Sequence, residues 1–407
     1  VYNRYVRKVT SNKNQTSSEV EKTVRQPQHK KGLSLEYVLR PKNQEFDNFS
    51  INWDCEGKWG ATNPSIEKVA DRVTKNGNIE FFQCKSGKTT AMIFYEGTEK
   101  NVEIVGDFTE WKPKQLKFFD YASESKKLKL LPIEFSSTAR VEYKLIVDGK
   151  WINDPLNPNK INNGVGGENS YFSMPDYKPT VWNKGGDVFL DTIDFKSGIY
   201  NGARLLQVYV PKDCAEKSCP VLYLQDGSDY VKRSRAVQIQ QNIVKAGKIK
   251  PFIMVFLDPK DRMKEYWASD DYAKFVAEEV VPAMDKQYNT IKSRDGRAIL
   301  GASLGGITSF HTAVKYPEIF GRVGGQSSSF WIDDERVVKE LEKLDSSKNK
   351  FVFYIDDGTL EGVEDSRRVN VMLRGKGFDV TYVEAETGHN WTSWRDRLAD
   401  AFVALWK

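Results

Sequence analysis

The chain has 407 residues, 39% of them hydrophobic and 12% aromatic, enough apolar material for ordinary packed cores and about two or three domains. The net charge of +5 is unevenly held: residues 1–33 carry eight Lys/Arg and two Glu, a local balance of +6 that leaves the remainder near −1. A body without a basic surface gives no basis for nucleic-acid binding, and no run of 18 or more apolar residues is present to span a membrane.

Residues 1–33 are polar and without periodicity, the composition of a disordered arm. The first residue is Val1 rather than Met, which reads as a processed or trimmed chain and leaves room for a removed leader; no signal peptide is visible. Residues 34–84 hold short β-like runs, Leu35 to Leu39 and Ile79 to Phe82, and one helical stretch, Ser65 to Lys75, stopped by Asn76-Gly77. From Thr89 the pattern turns all-β. Runs at Thr90 to Tyr95, Val102 to Val105, Lys127 to Leu131 and Val141 to Val147 are separated by Gly, Asp and Asn turns. Such spacing predicts a small Ig-like sandwich over 85–178. A Pro-containing linker is expected over 179–201.

Residues 202–407 alternate between strand and helix. Strands are predicted at 205–211, 220–226, 251–258, 297–302, 350–356 and 378–385. Helices are predicted at 233–246, 270–288, 305–316, 364–376 and 392–406. This alternation predicts an α/β domain with a mainly parallel sheet covered on both faces. Sites in such sheets lie at the carboxyl ends of the strands.

One such end carries Gly301-Ala302-Ser303-Leu304-Gly305, after the β-type run Arg297 to Leu300 and before the apolar helical run Ile307 to Val314. Strand, G-x-S-x-G and helix form a nucleophile elbow, in which a sharp turn exposes the serine hydroxyl. The glycines clear space where strand and helix converge. The Leu304 amide is then placed to receive an oxyanion at the helix start.

A serine nucleophile needs a base, and the chain contains three histidines. His29 lies in the arm. His311 is eight residues past Ser303, about 12 Å along the helix axis, and reads as packed or half-exposed. His389, in Thr387-Gly388-His389-Asn390-Trp391 after the last predicted strand, is the credible base. A carboxylate after the strand near 350–356 would complete a triad. The Gly358-Thr359-Leu360-Glu361 turn favours Glu361, with Asp357 second. The second oxyanion donor is expected from Gly227 or Ser228, after the strand Val221 to Leu224; Asp226 reads as a turn residue. Trp331, Trp391 and Trp394 either line an aromatic cleft or pack between helices. Arg262 either reaches the substrate or pairs with Glu265.

The four cysteines, Cys55, Cys84, Cys214 and Cys219, have no zinc or thioredoxin-type spacing. Local pairs 55–84 and 214–219 would suit an oxidising compartment. The expected place is periplasmic or secreted, or cytoplasmic if the thiols are reduced.

The stretch from Gly202 to Lys407 resembles the esterase D and enterochelin-esterase group of α/β-hydrolases, which includes the feruloyl and acetyl-xylan esterases of carbohydrate esterase family one. The resemblance rests on Pro220 to Gly227, Arg262 to Tyr266, Phe275 to Tyr288, the Gly301–Gly306 elbow, Tyr316-Pro317-Glu318-Ile319-Phe320, and Gly388-His389 with Trp391 and Trp394. It implies Ser303, Glu361 and His389 as the triad, although the acid is variable in that group and some members use Ser and His alone. The β-region resembles isoamylase-type, glycogen-binding-like modules through Gly106 to Trp111, Tyr143 to Trp151 and Asp154-Pro155. That implies a sugar platform of Trp111, Lys144, Trp151 and Asn169, or a scaffold without sugar. The expected function is a cofactor-free serine carboxylesterase for a saccharide-linked acyl or aromatic ester. A catecholate siderophore ester is the alternative substrate. A glycan-binding protein with a degenerate hydrolase, or an acyltransferase, are the other readings.

Overall fold

The computed structural model describes residues 55–57, 71, 72, 75, 79–84, 88–113, 116–122 and 127–407. The expected basic arm and the run Leu35 to Leu39 lie outside the described residues, as does most of the stretch Ser65 to Lys75.

Two antiparallel sheets build the β-rich region, one of five strands and one of six. Their alternating apolar residues meet in one cluster: Ala91, Ile93 and Tyr95 from one sheet, Ile104, Val141, Tyr143 and Leu145 from the other. The predicted runs appear as Thr89–Glu96, Val102–Gly106, Lys127–Phe135 and Arg140–Val147. Short strands such as Lys160–Asn162 and Glu168–Ser173 are added where the sequence shows little apolar alternation. Cys55 and Cys84 are register partners on neighbouring strands.

An eight-stranded sheet follows. Its order runs from Asp191–Ser197 at one edge to Asp379–Ala385 at the other. The strands Ile253–Leu257, Val221–Gln225, Arg297–Ala302, Arg322–Gln326, Val352–Gly358 and Asp379–Ala385 pair in parallel. Asp191–Ser197 and Gly202–Tyr209 join antiparallel, so the sheet is mixed. The edge strand Asp191–Ser197 lies inside the segment expected to be a linker. Its sequence DTIDFKS is too polar to announce a strand, because an edge strand buries little. Arg322–Gln326 has two central glycines where an apolar run would be expected. A Cβ at Gly324 would sit 2.6 Å from Leu300, so the neighbouring strand's side chain takes that space.

Two apolar cores cover the sheet, with Tyr223, Val255, Ile299, Phe310 and Phe353 on one face and Leu224, Met254, Leu300, Trp394 and Phe402 on the other. The predicted helix 270–288 forms as one run containing a π turn at Phe275–Val280. Cys214 and Cys219 form a disulfide across the short helix Lys212–Glu216. Among the described residues no helix is long and apolar enough to cross a membrane.

Leu360, from the loop after Val352–Gly358, is buried in the core of the β-rich region. One apolar core therefore includes a side chain from the hydrolase half. Leu360→Ala is expected to lower global stability by about 2–4 kcal/mol, because a buried leucine is lost and its cavity cannot fully collapse. Denaturant unfolding of the full chain checks this through the shift in midpoint.

Candidate active site

The strand Arg297–Ala302 runs directly into the helix Leu304–Lys315, with Ser303 between them at φ 57° and ψ −122°. This conformation is costly for a residue with a side chain and persists only when its surroundings enforce it. Here the Ser303 N–H donates to Gln326 O at 2.8 Å, and its carbonyl accepts from the Gly306, Ile307 and Ser329 amides. A Cβ at Gly301 would stand 2.3 Å from Gly305 O, so strand and helix meet too closely for any larger residue. Leu304 follows at the helix start, as the elbow motif requires.

His389 follows the strand Asp379–Ala385, and Glu361 follows Val352–Gly358. Both strands run parallel to the one ending at Ser303, so the three residues emerge at the same edge of the sheet. His389 Nδ1 hydrogen-bonds Glu361 Oε2. Glu361 Oε1 accepts from Ser327 Oγ at 2.7 Å and from the Gly358 amide at 3.0 Å. Ser327 in turn accepts from Trp394 Nε1 at 2.9 Å. Ser327 follows Gln326, whose carbonyl holds the Ser303 amide, so a continuous chain of bonded residues links Ser303 to Glu361.

Burial alone would raise the Glu361 carboxyl, but the adjacent His389 imidazole and the hydrogen bonds from His389 and Ser327 hold it below the ordinary carboxylate range. An ionised Glu361 can only accept, so His389 Nδ1 is the donor in this bond. Asp357, the second choice for the acid, behaves oppositely. Burial and the charge of Glu361 push it well above the usual range, and its hydrogen-bond partner is Ser366.

The other predicted residues separate. Ser228 N–H donates to Asp258 Oδ1 at 2.9 Å, so that amide is committed elsewhere. Gly227 sits against the next strand, where a Cβ would be 2.5 Å from Leu257 N. Arg262 does not pair with Glu265. It reaches Asp226 at 2.9 Å, while Glu265 forms a buried two-bond pair with Arg204 at 2.7 and 3.0 Å. Arg204 lies 61 residues before Glu265, beyond the reach of any local pattern. Asp226 is a turn residue with φ 56°, as expected. His311 is fully buried between Glu340 at 2.8 Å and Asp270 at 3.0 Å, a packed histidine.

The tryptophans do not form one flat cleft. Trp394 is buried edge-on to His389, with ring centroids 5.0 Å apart. Trp391 packs on Tyr230 and Trp394. Trp331 is 48% exposed beside Trp267. Trp391 also lines a cavity of about 180 Å³ with Glu142, Asn162, Arg233, Asn390 and Arg395, between the β-rich region and the hydrolase.

Of the four platform residues, Trp151 is exposed and Lys144 half-buried. Asn169 is buried, its amide donating to Glu142 Oε2 at 3.0 Å, and the Trp111 indole N–H donates to Asp107 Oδ1 at 3.3 Å. The sequence reading includes Asp107 only as part of a sugar-module motif and places Ser327 only near the site.

The Esterase family, described as "Putative esterase", matches residues 197–405. The chain belongs to this family. It is a hydrolase that acts on ester bonds. An endo-1,4-β-xylanase/feruloyl esterase of Xylanibacter ruminicola is 28% identical over 199 residues, 46% of this chain and 26% of that one. An iron(III) enterobactin esterase of Escherichia coli is 21% identical over 270 residues, covering 63% of this chain and 68% of the relative. The solved ferric enterobactin esterase of Salmonella typhimurium shares the fold with a TM-score of 0.70 at 16% identity, over 83% of this chain and 98% of that one. The esterase thus has the α/β-hydrolase fold, and the likeness extends from the hydrolase sheet into the β-rich region.

The depressed Glu361 carboxyl makes a stability prediction. Its contribution is fully present above the ordinary value of 4.5 and is lost as pH falls through the lower folded-state value. The melting-temperature advantage of wild type over Glu361→Gln should therefore shrink as pH falls below about 4.5. Thermal unfolding across that range reads it directly.

Proposed function

We propose that the protein is a serine carboxylesterase working through an acyl-enzyme. The observation that supports this most is the bonded Glu361–His389 pair at the same sheet edge as the strained Ser303 turn. Ser303 Oγ attacks the ester carbonyl carbon, and its proton passes to His389 Nε2. The imidazolium, held by Glu361, returns that proton to the leaving alkoxide as the C–O bond breaks. Water then attacks the acyl-serine, with His389 taking its proton and giving one back to Ser303 as the acid leaves. The Leu304 and Gly227 amides are assigned to the oxyanion in both steps.

The preferred substrate is an acyl or aromatic ester linked to a saccharide. Two features support it: similarity to a protein named as a xylanase/feruloyl esterase, and the exposed Trp151, a flat face of the kind that stacks on sugars. The cavity beside Trp391 is below the roughly 300 Å³ of a pocket for a drug-sized ligand, so it suits one ring or one polar group of a larger substrate. A catecholate siderophore ester is the second reading. It is favoured by similarity to the enterobactin esterases and by Arg233 and Arg395, which line that cavity. The Cys214–Cys219 bond is compatible with an exported protein.

Ser303→Ala is expected to abolish fluorophosphonate labelling and to lower turnover at least about 10³-fold, and His389→Ala to lower it similarly. Glu361→Gln should lower kcat about 10²- to 10⁴-fold with little change in KM. Equal labelling of wild type and Ser303→Ala would reject the mechanism. A panel of feruloyl, acetyl, short acyl and catecholate esters, run on wild type and Ser303→Ala, separates the two substrate readings by kcat/KM.

A further inference from the structure

Asp107 lies in the β-rich region, on the short turn Asp107–Thr109 that follows the strand Val102–Gly106. It is 3% exposed, and its contacts cross to the loop that carries His389. Asp107 Oδ2 accepts from Asn390 Nδ2 at 3.3 Å, immediately after His389. A Cβ on Gly388, immediately before His389, would fall 2.0 Å from Asp107 Cγ. The Asp107 carboxyl is thus pressed against the residue on one side of His389 and bonded to the residue on the other. It is itself fixed by the Glu142 amide at 2.9 Å and the Trp111 indole at 3.3 Å. Asn390 also caps the helix Trp391–Trp406, accepting from the Ser393 amide at 3.0 Å.

Two further contacts join the same region to the same loops. The Arg140 amide donates to Glu386 O at 2.9 Å, and Leu360, next to Glu361, is buried in the β-region core. The two loops are tied to each other by Leu360 N–H to Thr387 O at 3.1 Å and Thr359 N–H to Ala385 O at 2.8 Å. The acid and base loops are therefore one unit with an external support.

We infer that Asp107 is a positioning residue for the hydrolytic site, holding the residues on both sides of His389 so that its imidazole keeps its bond to Glu361. The inference rests on the role proposed above for His389. Asp107 does not reach the substrate carbonyl in this scheme and moves no proton. It acts through loop geometry, where a displacement of about 1 Å can cost on the order of 100-fold in rate. Its surroundings suit that task. Burial, with the Glu142 and Glu361 charges, pushes the Asp107 carboxyl well above the usual range against the pull of the Glu142 amide and Arg140.

The test uses the full chain with a short-chain p-nitrophenyl ester and a fluorophosphonate. Asp107→Ala and Gly388→Ala should each lower kcat about 10- to 100-fold with KM within about threefold, and should slow labelling of Ser303 in parallel. The double variant Asp107→Ala plus Gly388→Ala should be no slower than Gly388→Ala alone, because the alanine methyl then has room. Hydrogen exchange of the segment 386–391 should be faster in Asp107→Ala. If that variant fails to fold, Asp107→Asn decides, since it keeps the shape but replaces one acceptor by a donor facing other N–H groups. Wild-type kcat in a folded Asp107→Ala or Asp107→Asn, or strictly additive losses in the double variant, would overturn the inference. Wild-type turnover in His389→Ala would instead overturn the function proposed above. An inactive His389→Ala beside a fully active Asp107→Ala separates the two failures.

Discussion

The tight meeting of one strand and one helix is the constraint on which the site depends. Gly301 lets the backbone of Arg297–Ala302 and Leu304–Lys315 approach to a distance that any side chain there would forbid. The chain must then reverse in a single residue, and Ser303 takes a conformation that costs free energy in isolation. The Gln326 carbonyl, which holds the Ser303 amide, and the helix behind it, buried from Leu304 to Ala313, offset that cost.

Around that edge, similar carboxyl groups differ in state because their surroundings differ. Glu361 is buried yet stays ionised, because an imidazole, a serine hydroxyl and a backbone amide all point at it. Asp357 and Asp107 are buried near the same charge and are driven toward the neutral form. One ionised carboxylate among reluctant ones is the arrangement that fixes a single histidine tautomer, since competing anions would offer the ring alternative partners. Asp356 is held apart by a buried ion pair with Arg397 at 2.8 Å, whose other nitrogen donates to Thr387 at the base of the histidine loop.

The β-rich region shares more than a covalent link with the hydrolase. Leu360 fills part of its core, Arg140 extends a backbone bond to Glu386, and Asp107 abuts Gly388. A freely tethered sugar-binding arm would not take a core side chain from its neighbour. The two halves are better described as a scaffold and a sheet that meet at the loops of Glu361 and His389. The cavity beside Trp391 is one result of that meeting, since its walls come from both halves.

Much of this was legible in the chain alone. The elbow is local, because G-x-S-x-G between an apolar strand and helix specifies a turn through its own glycines. Scarcity of histidine pointed to His389 without any coordinates, and strand–helix alternation pointed to a layered sheet. Partners separated by long stretches of chain were not legible. Arg204 rather than Arg262 meets Glu265, Ser228 gives its amide to Asp258, and Asp191–Ser197 joins the sheet despite a polar sequence. Asp107 is the clearest case: 283 residues separate it from Asn390, and no periodicity records such a contact. Local sequence determines which residues can form a tight turn or supply a base. Only the packed structure decides which distant carboxyl lies against the loop of His389, because that depends on how two independently patterned halves meet.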